Sequence, residues 1–246
     1  MPIRILIIED DLAFTKLLSR DLIREGYEVV AANNGLEGLR LFHATRPDLI
    51  LLDIAMPFMD GTTVCQRIRV LSEVPILMMT ARPVTEQQIA QGLDLGADEF
   101  MLKPLRHIEF HARIKALLRR ARPMSAERSI THAALYEDPY LMVDTISRRV
   151  EIRGQEVRLT PTEFRLLATL IRHREEVLTF QELLGAVWGP EYHSEHHYPR
   201  IYVSHLRRKI EPDSQAPTYI QNEYGIGYRF VGQRKPSISA NGRKPN

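Results

Sequence analysis

Five polar side chains stand at the ends of four short apolar runs. Glu9 and Asp10 follow IRILII, Asp53 follows LILL, Thr80 follows PILMM and Lys103 follows EFML. Carboxylates that share a pocket repel one another and call for a cation. Their oxygens suit a hard ion such as Mg2+, which binds through few carboxylates and keeps several waters. Beside such an ion Asp53 can act as a nucleophile toward phosphorus and form an aspartyl phosphate. The phosphoryl oxygens carry charge, which an ammonium (Lys103) and a hydroxyl (Thr80) can stabilise. One acid at a strand end is usually no more than a helix cap. The chemistry rests on four separate ends meeting.

The runs must therefore be strands of one sheet. Residues 3–8, 27–31, 49–52, 75–79 and 99–102 are short, mostly apolar and β-branched or Leu/Met-rich. Between them lie helical patterns: Leu12, Leu17, Leu18 and Leu22, then Leu36, Leu39 and Phe42, then 62–72, near 85–95, and 106–121. Strands apolar on both faces that alternate with helices predict a doubly wound, five-stranded parallel α/β sheet over residues 1–121. In such sheets ligands bind beyond the carboxyl ends of the strands, which is where the five polar groups stand.

The grammar changes after a segment without periodicity, 122–138, read as a linker. Short strands at 141–143, 150–152 and 157–159 precede helical patterns near 161–173, 179–187 and 197–210, then a hairpin around Gly225 and Gly227. This predicts a second α+β domain over 139–232. The tail 233–246 is polar and rich in Pro, Ser and Gly, the composition of a disordered end. In 197–210, Val203, Leu206 and Ile210 follow helical spacing and face the core. Arg200, Ser204, Arg207 and Arg208 turn the other way, with His197 and His205 at the edges. Arginine bonds guanine in two places, and Arg and Ser bind phosphates, so this face suits the major groove of double-stranded DNA. By charge alone, a solvated helix face is the more common explanation of such a stretch. His193, His196 and His197 are read as a polar helix entry and not a metal site, because no Cys or acid cluster completes a ligand set.

Composition narrows the setting. The chain has 246 residues and a formal net charge of +2. Up to Arg120 it carries 15 Lys+Arg against 16 Asp+Glu, and beyond it 18 against 15, a mild basic bias in the second half. No apolar run approaches the roughly 18 residues of a membrane span. The one cysteine, Cys65, cannot form an internal disulfide and fits a reducing compartment. A cytoplasmic protein without a membrane partner is the expectation.

The blocks IIEDD, LLDIAMPFMDG, MMTAR, GADEF and LKP resemble those of bacterial response-regulator receivers (CheY-like), across residues 1–121. The blocks LTPTEFRLL, LLGAVWG, RIYVSHLRRKI and YGIGYRF resemble, in that order, the winged-helix effector of the OmpR/PhoB family. The resemblance implies a transcription regulator of a two-component system, phosphorylated by a sensor histidine kinase, with RNA polymerase as a further candidate partner. It implies Asp53 as phosphoacceptor, Asp10 as a direct Mg2+ ligand, Glu9 as a ligand through water, and Ala55 as a ligand through its carbonyl. It gives Thr80 and Lys103 to the phosphoryl group and puts Phe100 at the aromatic switch position, where the family often has Tyr. In the effector it makes 197–210 the recognition helix and 225–228 the wing. Tyr224 stands where an Arg is common, with Arg229 nearby. Family receivers form homodimers on activation through ion pairs that here match Asp98 with Arg120 and Glu99 with Arg113. A third pair is lost, because the basic partner of Glu109 would fall at Ile89. The run HSEHHYPRIYVSHLRRKI resembles regulators of potassium-uptake (Kdp) operons.

Two other functions compete with this reading. A regulator that uses its receiver only as a dimerisation module would not need the intact set of Glu9, Asp10, Asp53, Thr80 and Lys103. A Mg2+-dependent phosphoryl-transfer enzyme would need a general acid two residues after Asp53, where Ala55 stands.

Overall fold

A computed structural model describes residues 2–81, 92–121, 135–192 and 195–232. Most of the helix expected near 85–95 lies outside these residues, as do Ile89, His193, the segment 122–134 and the tail from 233; residues 92–94 form a helical turn.

The first half contains β1 (Arg4–Ile8), α1 (Leu12–Arg24), β2 (Glu28–Ala32), α2 (Gly35–Thr45), β3 (Leu49–Asp53), α3 (Gly61–Arg69), β4 (Ile76–Thr80), β5 (Glu99–Leu102) and α4 (His107–Ala121). The strands pair in the order β2-β1-β3-β4-β5, and every pairing is parallel. Strand period two explains the two cores. Leu6, Ile8, Ile50, Leu52, Ile76 and Met78 face α2 and α3, where Phe42, Val64 and Ile68 meet them. Ile5, Ile7, Leu49, Leu51, Leu77 and Met79 face α1 and α4, with Leu18, Leu22, Phe110, Ile114 and Leu117 opposite. Both faces of the sheet are therefore dry, as the continuous apolar runs require.

Helices start at side-chain caps. Asp11, Asn34 and Asp60 cap α1, α2 and α3 by accepting from first-turn backbone N–H groups. The cap at Asp60 also places Gly61 against the end of β3. A Cβ at Gly61 would lie 2.1 Å from the Asp53 carbonyl oxygen, so only glycine lets α3 approach the loop beneath Asp53.

The second half holds β6 (Tyr136–Glu137), β7 (Leu141–Asp144), β8 (Arg149–Ile152) and β9 (Gln155–Glu156) in a four-stranded antiparallel sheet. Strand β6 begins inside the stretch expected to be linker, because Tyr136 packs edge-on to Tyr219 and Phe230. Then come α5 (Pro161–Arg172), β10 (Val177–Thr179), α6 (Phe180–Leu183) continued by a wider turn over 184–188, and α7 (Tyr198–Ile210). The hairpin β11 (Ile220–Glu223) and β12 (Gly227–Phe230) pairs with β10 in a three-stranded sheet. Thr160 and Glu163 form a reciprocal cap with Pro161 in the first turn of α5. Trp188 is fully buried and stacks on Tyr198, with Tyr202 edge-on at 5.2 Å. The architecture is the winged-helix α+β arrangement expected from the sequence.

Candidate functional site

The carboxyl ends of β1, β3, β4 and β5 form one pocket. Asp53 is the last residue of β3 and is 3% exposed; Glu9, just after β1, is 1% exposed, and Asp10 is open to solvent. Lys103 follows β5. Its Nζ lies 2.7 Å from Glu9 Oε2 and 2.7 Å from Asp53 Oδ1, so one ammonium bridges two buried carboxylates. The Phe14 ring of α1 flanks that ammonium at 4.5 Å. Thr80 ends β4, buried beside the pocket, and its carbonyl accepts from Lys103 N–H at 2.8 Å. Ala55 N–H donates to Asp53 Oδ2 at 3.0 Å. Phe100, on β5, is buried in the core.

The electrostatics follow from burial and proximity. Burial raises the Glu9 pKa and the Asp53 charge raises it further, against the pull of Lys103. Burial opposes the charge on Lys103, but Asp53 and Glu9 outweigh it and raise its pKa, so the ammonium persists. A single cation facing three carboxylates leaves the pocket short of positive charge. One oxygen each from Glu9, Asp10 and Asp53 lies within 4.8 Å of the others, an all-oxygen set suited to Mg2+. Asp53 Oδ1 is buried and, apart from the Lys103 ion pair, accepts no hydrogen bond among the described residues, which leaves lone-pair capacity for an ion or a phosphoryl group.

The DNA-facing residues expected from the sequence divide. Arg200 and Ser204 are exposed on α7, with the Arg200 guanidinium over the Phe180 ring. Tyr224 is fully exposed at the tip of the hairpin. Two residues turn inward. Arg207 donates to the Ile220 carbonyl at 2.6 Å and to Asn222 Oδ1 at 3.0 Å, fastening α7 to β11. His205 is 6% exposed and lies 2.6 Å from Asp94 of the first half. Arg208 reaches the same carboxylate at 2.7 Å. Arg229 pairs with Glu223 across the hairpin.

The residues expected at a dimer surface are also placed differently. The pair Glu99–Arg113 forms, at 2.7 Å, but Asp98 pairs with Arg69 at 2.6 Å and not with Arg120, which lies 3.5 Å from Glu99. All four residues are buried against the second half of the same chain. Glu99 accepts from Tyr192 Oη at 2.5 Å and from Tyr198 Oη. Tyr202 Oη donates to the Asp98 carbonyl at 2.9 Å, and Arg113 reaches Glu195 at 2.9 Å. Burial and the Glu99 charge hold Tyr192 and Tyr198 far above the usual phenol range, so both remain donors. Arg113 also loses by burial, yet Glu99 and Glu195 keep it charged. Sequence reasoning missed Asp94, Tyr192, Tyr198 and Tyr202. The tyrosines sit around the recognition helix at spacings that read as core, and nothing in a periodicity says that their hydroxyls cross to another domain.

Comparison with known proteins agrees with this division. Residues 5–115 match the response regulator receiver domain, and 154–230 match the transcriptional regulatory protein C-terminal domain. The chain is similar to response regulator MprA of Mycobacterium tuberculosis, 39% identical over 229 residues that cover 93% of this chain and 97% of that one. It is similar also to the probable transcriptional regulator ycf27 of Guillardia theta, 38% identical over 92% of this chain and 90% of that one. Among solved structures, a mutant of RitR superposes with a TM-score of 0.73 at 26% identity, covering 92% of this chain and 98% of that one. The family is one of transcriptional regulators rather than enzymes. With a pocket of carboxylates and one lysine at the strand ends of one half and a winged helix in the other, the chain belongs to the OmpR/PhoB response regulators, two-component DNA-binding regulators of transcription.

Proposed function

We propose that a sensor histidine kinase phosphorylates Asp53 and that this lets the receiver dimerise and frees the winged helix to bind promoter DNA. The observation that carries the proposal is Lys103, which bridges Asp53 and Glu9 and would have to redistribute its contacts once a phosphoryl group arrives. Ala55 N–H holds Asp53 Oδ2 and Lys103 holds Oδ1, so Oδ1 becomes the attacking oxygen as Lys103 shifts toward the incoming phosphoryl group. The P–N bond of a phosphohistidine donor breaks as the O–P bond forms. Mg2+, held by Glu9, Asp10, Asp53 and the Ala55 carbonyl, would supply charge neutralisation for the phosphoryl oxygens. Thr80 and Lys103 would bind the transferred group, and Phe100 would respond to it from behind β4.

The closed arrangement gives the relay its physical basis. Asp98, Glu99, Arg113 and Arg120 are the residues proposed for the homodimer, and they are engaged with the effector half. Dimerisation and the closed seam therefore compete. Release would also expose His205 and free Arg208 to join Arg200 and Ser204 on a direct repeat of DNA, with Tyr224 and Arg229 in the wing and RNA polymerase as the next partner. The effector half is further proposed to be Kdp-like, on the run HSEHHYPRIYVSHLRRKI alone; in vitro selection of bound DNA tests that.

Phosphate-affinity electrophoresis of wild type and Asp53→Ala, after incubation with a small-molecule phosphodonor and Mg2+, tests the central step. A shifted band in wild type that is absent from Asp53→Ala is expected. A shift of equal size in both would overturn the proposal.

A further inference from the structure

The acid pocket is not the only place where this receiver gathers metal-ligating side chains. On the outer side of the α1/α4 layer, Asp21 of α1 meets His107 and His111 of α4. His107 Nε2 lies 3.1 Å from Asp21 Oδ1, and His111 Nε2 lies 2.7 Å from Asp21 Oδ2. The two imidazoles are four residues apart, so they share one face of the helix. Their ring centroids stand 4.4 Å apart, and one ligand atom from each of the three residues lies within 4.8 Å of the others.

From this the geometry points to a transition-metal site of the Zn2+ class, with His107 Nε2, His111 Nε2 and an Asp21 oxygen as ligands. A tetrahedral ion bound at about 2.0–2.2 Å spaces its ligand atoms roughly 3.3 Å apart. The present separations, 3.1 Å to Oδ1 and 2.7 Å to Oδ2, need about 0.2 and about 0.6 Å of expansion. Nitrogen donors set this site apart from the all-oxygen pocket at Asp53: imidazole with one carboxylate favours Zn2+, Co2+ or Ni2+ over Mg2+. The three ligands differ in freedom, which gives an entry path. His111 is 7% exposed and fixed edge-on against Phe110, Asp21 is 25% exposed, and His107 is 67% exposed. The buried ring and carboxylate form a fixed base, and the open ring closes over an incoming ion. Three protein ligands leave a fourth position for water.

A simple clamp between α1 and α4 needs one imidazole on Asp21. The second ring, solvent-exposed and turned onto the same carboxylate, makes the arrangement a chelate. Helix α1 begins two residues after Asp10, and α4 begins four residues after Lys103. An ion here would tie together the two helices that leave the phosphoacceptor pocket.

Co2+ titration of the full chain, stripped with chelator and freed of it, is the test. A visible d–d absorption band of four-coordinate, imidazole-ligated Co2+ is expected, saturating at one ion in Asp53→Asn, where the acid pocket is weakened. Zn2+ should abolish the band and Mg2+ should not. His107→Gln changes an exposed residue and leaves the fold intact. It should weaken Co2+ binding by more than the about 10–100-fold that loss of an outer-shell partner causes. Asp21→Asn should do the same. Absence of the band in wild type would overturn the site. So would a band that persists unchanged in His107→Gln, since the ion would then sit elsewhere, at the acid pocket or at the histidines around His196.

Discussion

Two hydroxyl groups donate across the seam between the halves to one carboxylate, and removing them tests whether the closed form restrains DNA binding. Tyr192→Phe and Tyr198→Phe each delete one donor to the Glu99 carboxylate and keep the rings, Tyr198 stacked on Trp188 and Tyr192 edge-on to Tyr198. A hydrogen bond to a charged group contributes about 1.5–3 kcal/mol net. The pair shares one acceptor, so the effects fall short of additive, and Arg113 and Arg120 still neutralise Glu99. The double variant should therefore lose about 3 kcal/mol of closure, the low end of the sum. That is roughly a hundredfold change in the ratio of closed to open forms. Apparent affinity for DNA scales with the fraction of binding-competent protein. The unphosphorylated double variant should thus bind DNA more tightly, by up to about that factor while the wild type is mostly closed. Small-angle scattering should report a larger radius of gyration, and fluorescence anisotropy on operator DNA should report the affinity. Unchanged scattering together with unchanged affinity would refute the reasoning, because the seam would then not control access to α7.

Other outcomes follow from the pocket and the seam. Lys103→Met leaves Glu9 and Asp53 facing each other without their shared cation, and loss of one member of a buried pair costs about 3–5 kcal/mol. Its melting temperature should fall in Mg2+-free buffer and rise more with added Mg2+ than the wild type's; an equal Mg2+ response in both would count against the pocket as an ion site. Burial lowers the His205 pKa in the closed form, and Arg208 adds to this, although Glu163 and Asp94 oppose them. A proton therefore binds better to the open form. Closure should be favoured above about pH 6.5, the free imidazole value, and weaken as pH falls below it. Scattering between pH 7.5 and 5.5 checks the sign, and His205→Gln should flatten the dependence. Burial pushes the Cys65 thiol up to about 11, so it should resist thiol reagents in the native chain and react only on unfolding.

The two halves were legible in the sequence to different depths. Strand ends announce themselves because an apolar run stops at a polar residue, and the fold then brings four such stops together; Glu9, Asp53, Thr80 and Lys103 needed only the topology. Helix α7 was half legible. Its periodicity separated Val203, Leu206 and Ile210 from Arg200 and Ser204, but periodicity treats every polar residue off the core stripe as facing solvent. His205 and Arg207 break that equation, since one meets Asp94 of another domain and the other bonds the carbonyl of Ile220, the first residue of a neighbouring strand. The same limit hid the seam. Glu99 and Arg113 were recognisable as partners, yet a charge pair carries no mark of whether it closes within a chain or between two chains. The ambiguity is chemical as well as inferential. A carboxylate that can accept from Tyr192, Tyr198, Arg113 and Arg120 can exchange some of those donors for a second subunit's at little cost, which is what a switch surface requires. On this view the polar contacts of the seam are its working part, beside the apolar cluster that also joins the halves. Apolar contact alone would hold the halves together whatever happened at Asp53, whereas hydrogen-bonded charges can trade partners when, as proposed, the pocket at the strand ends gains a phosphoryl group.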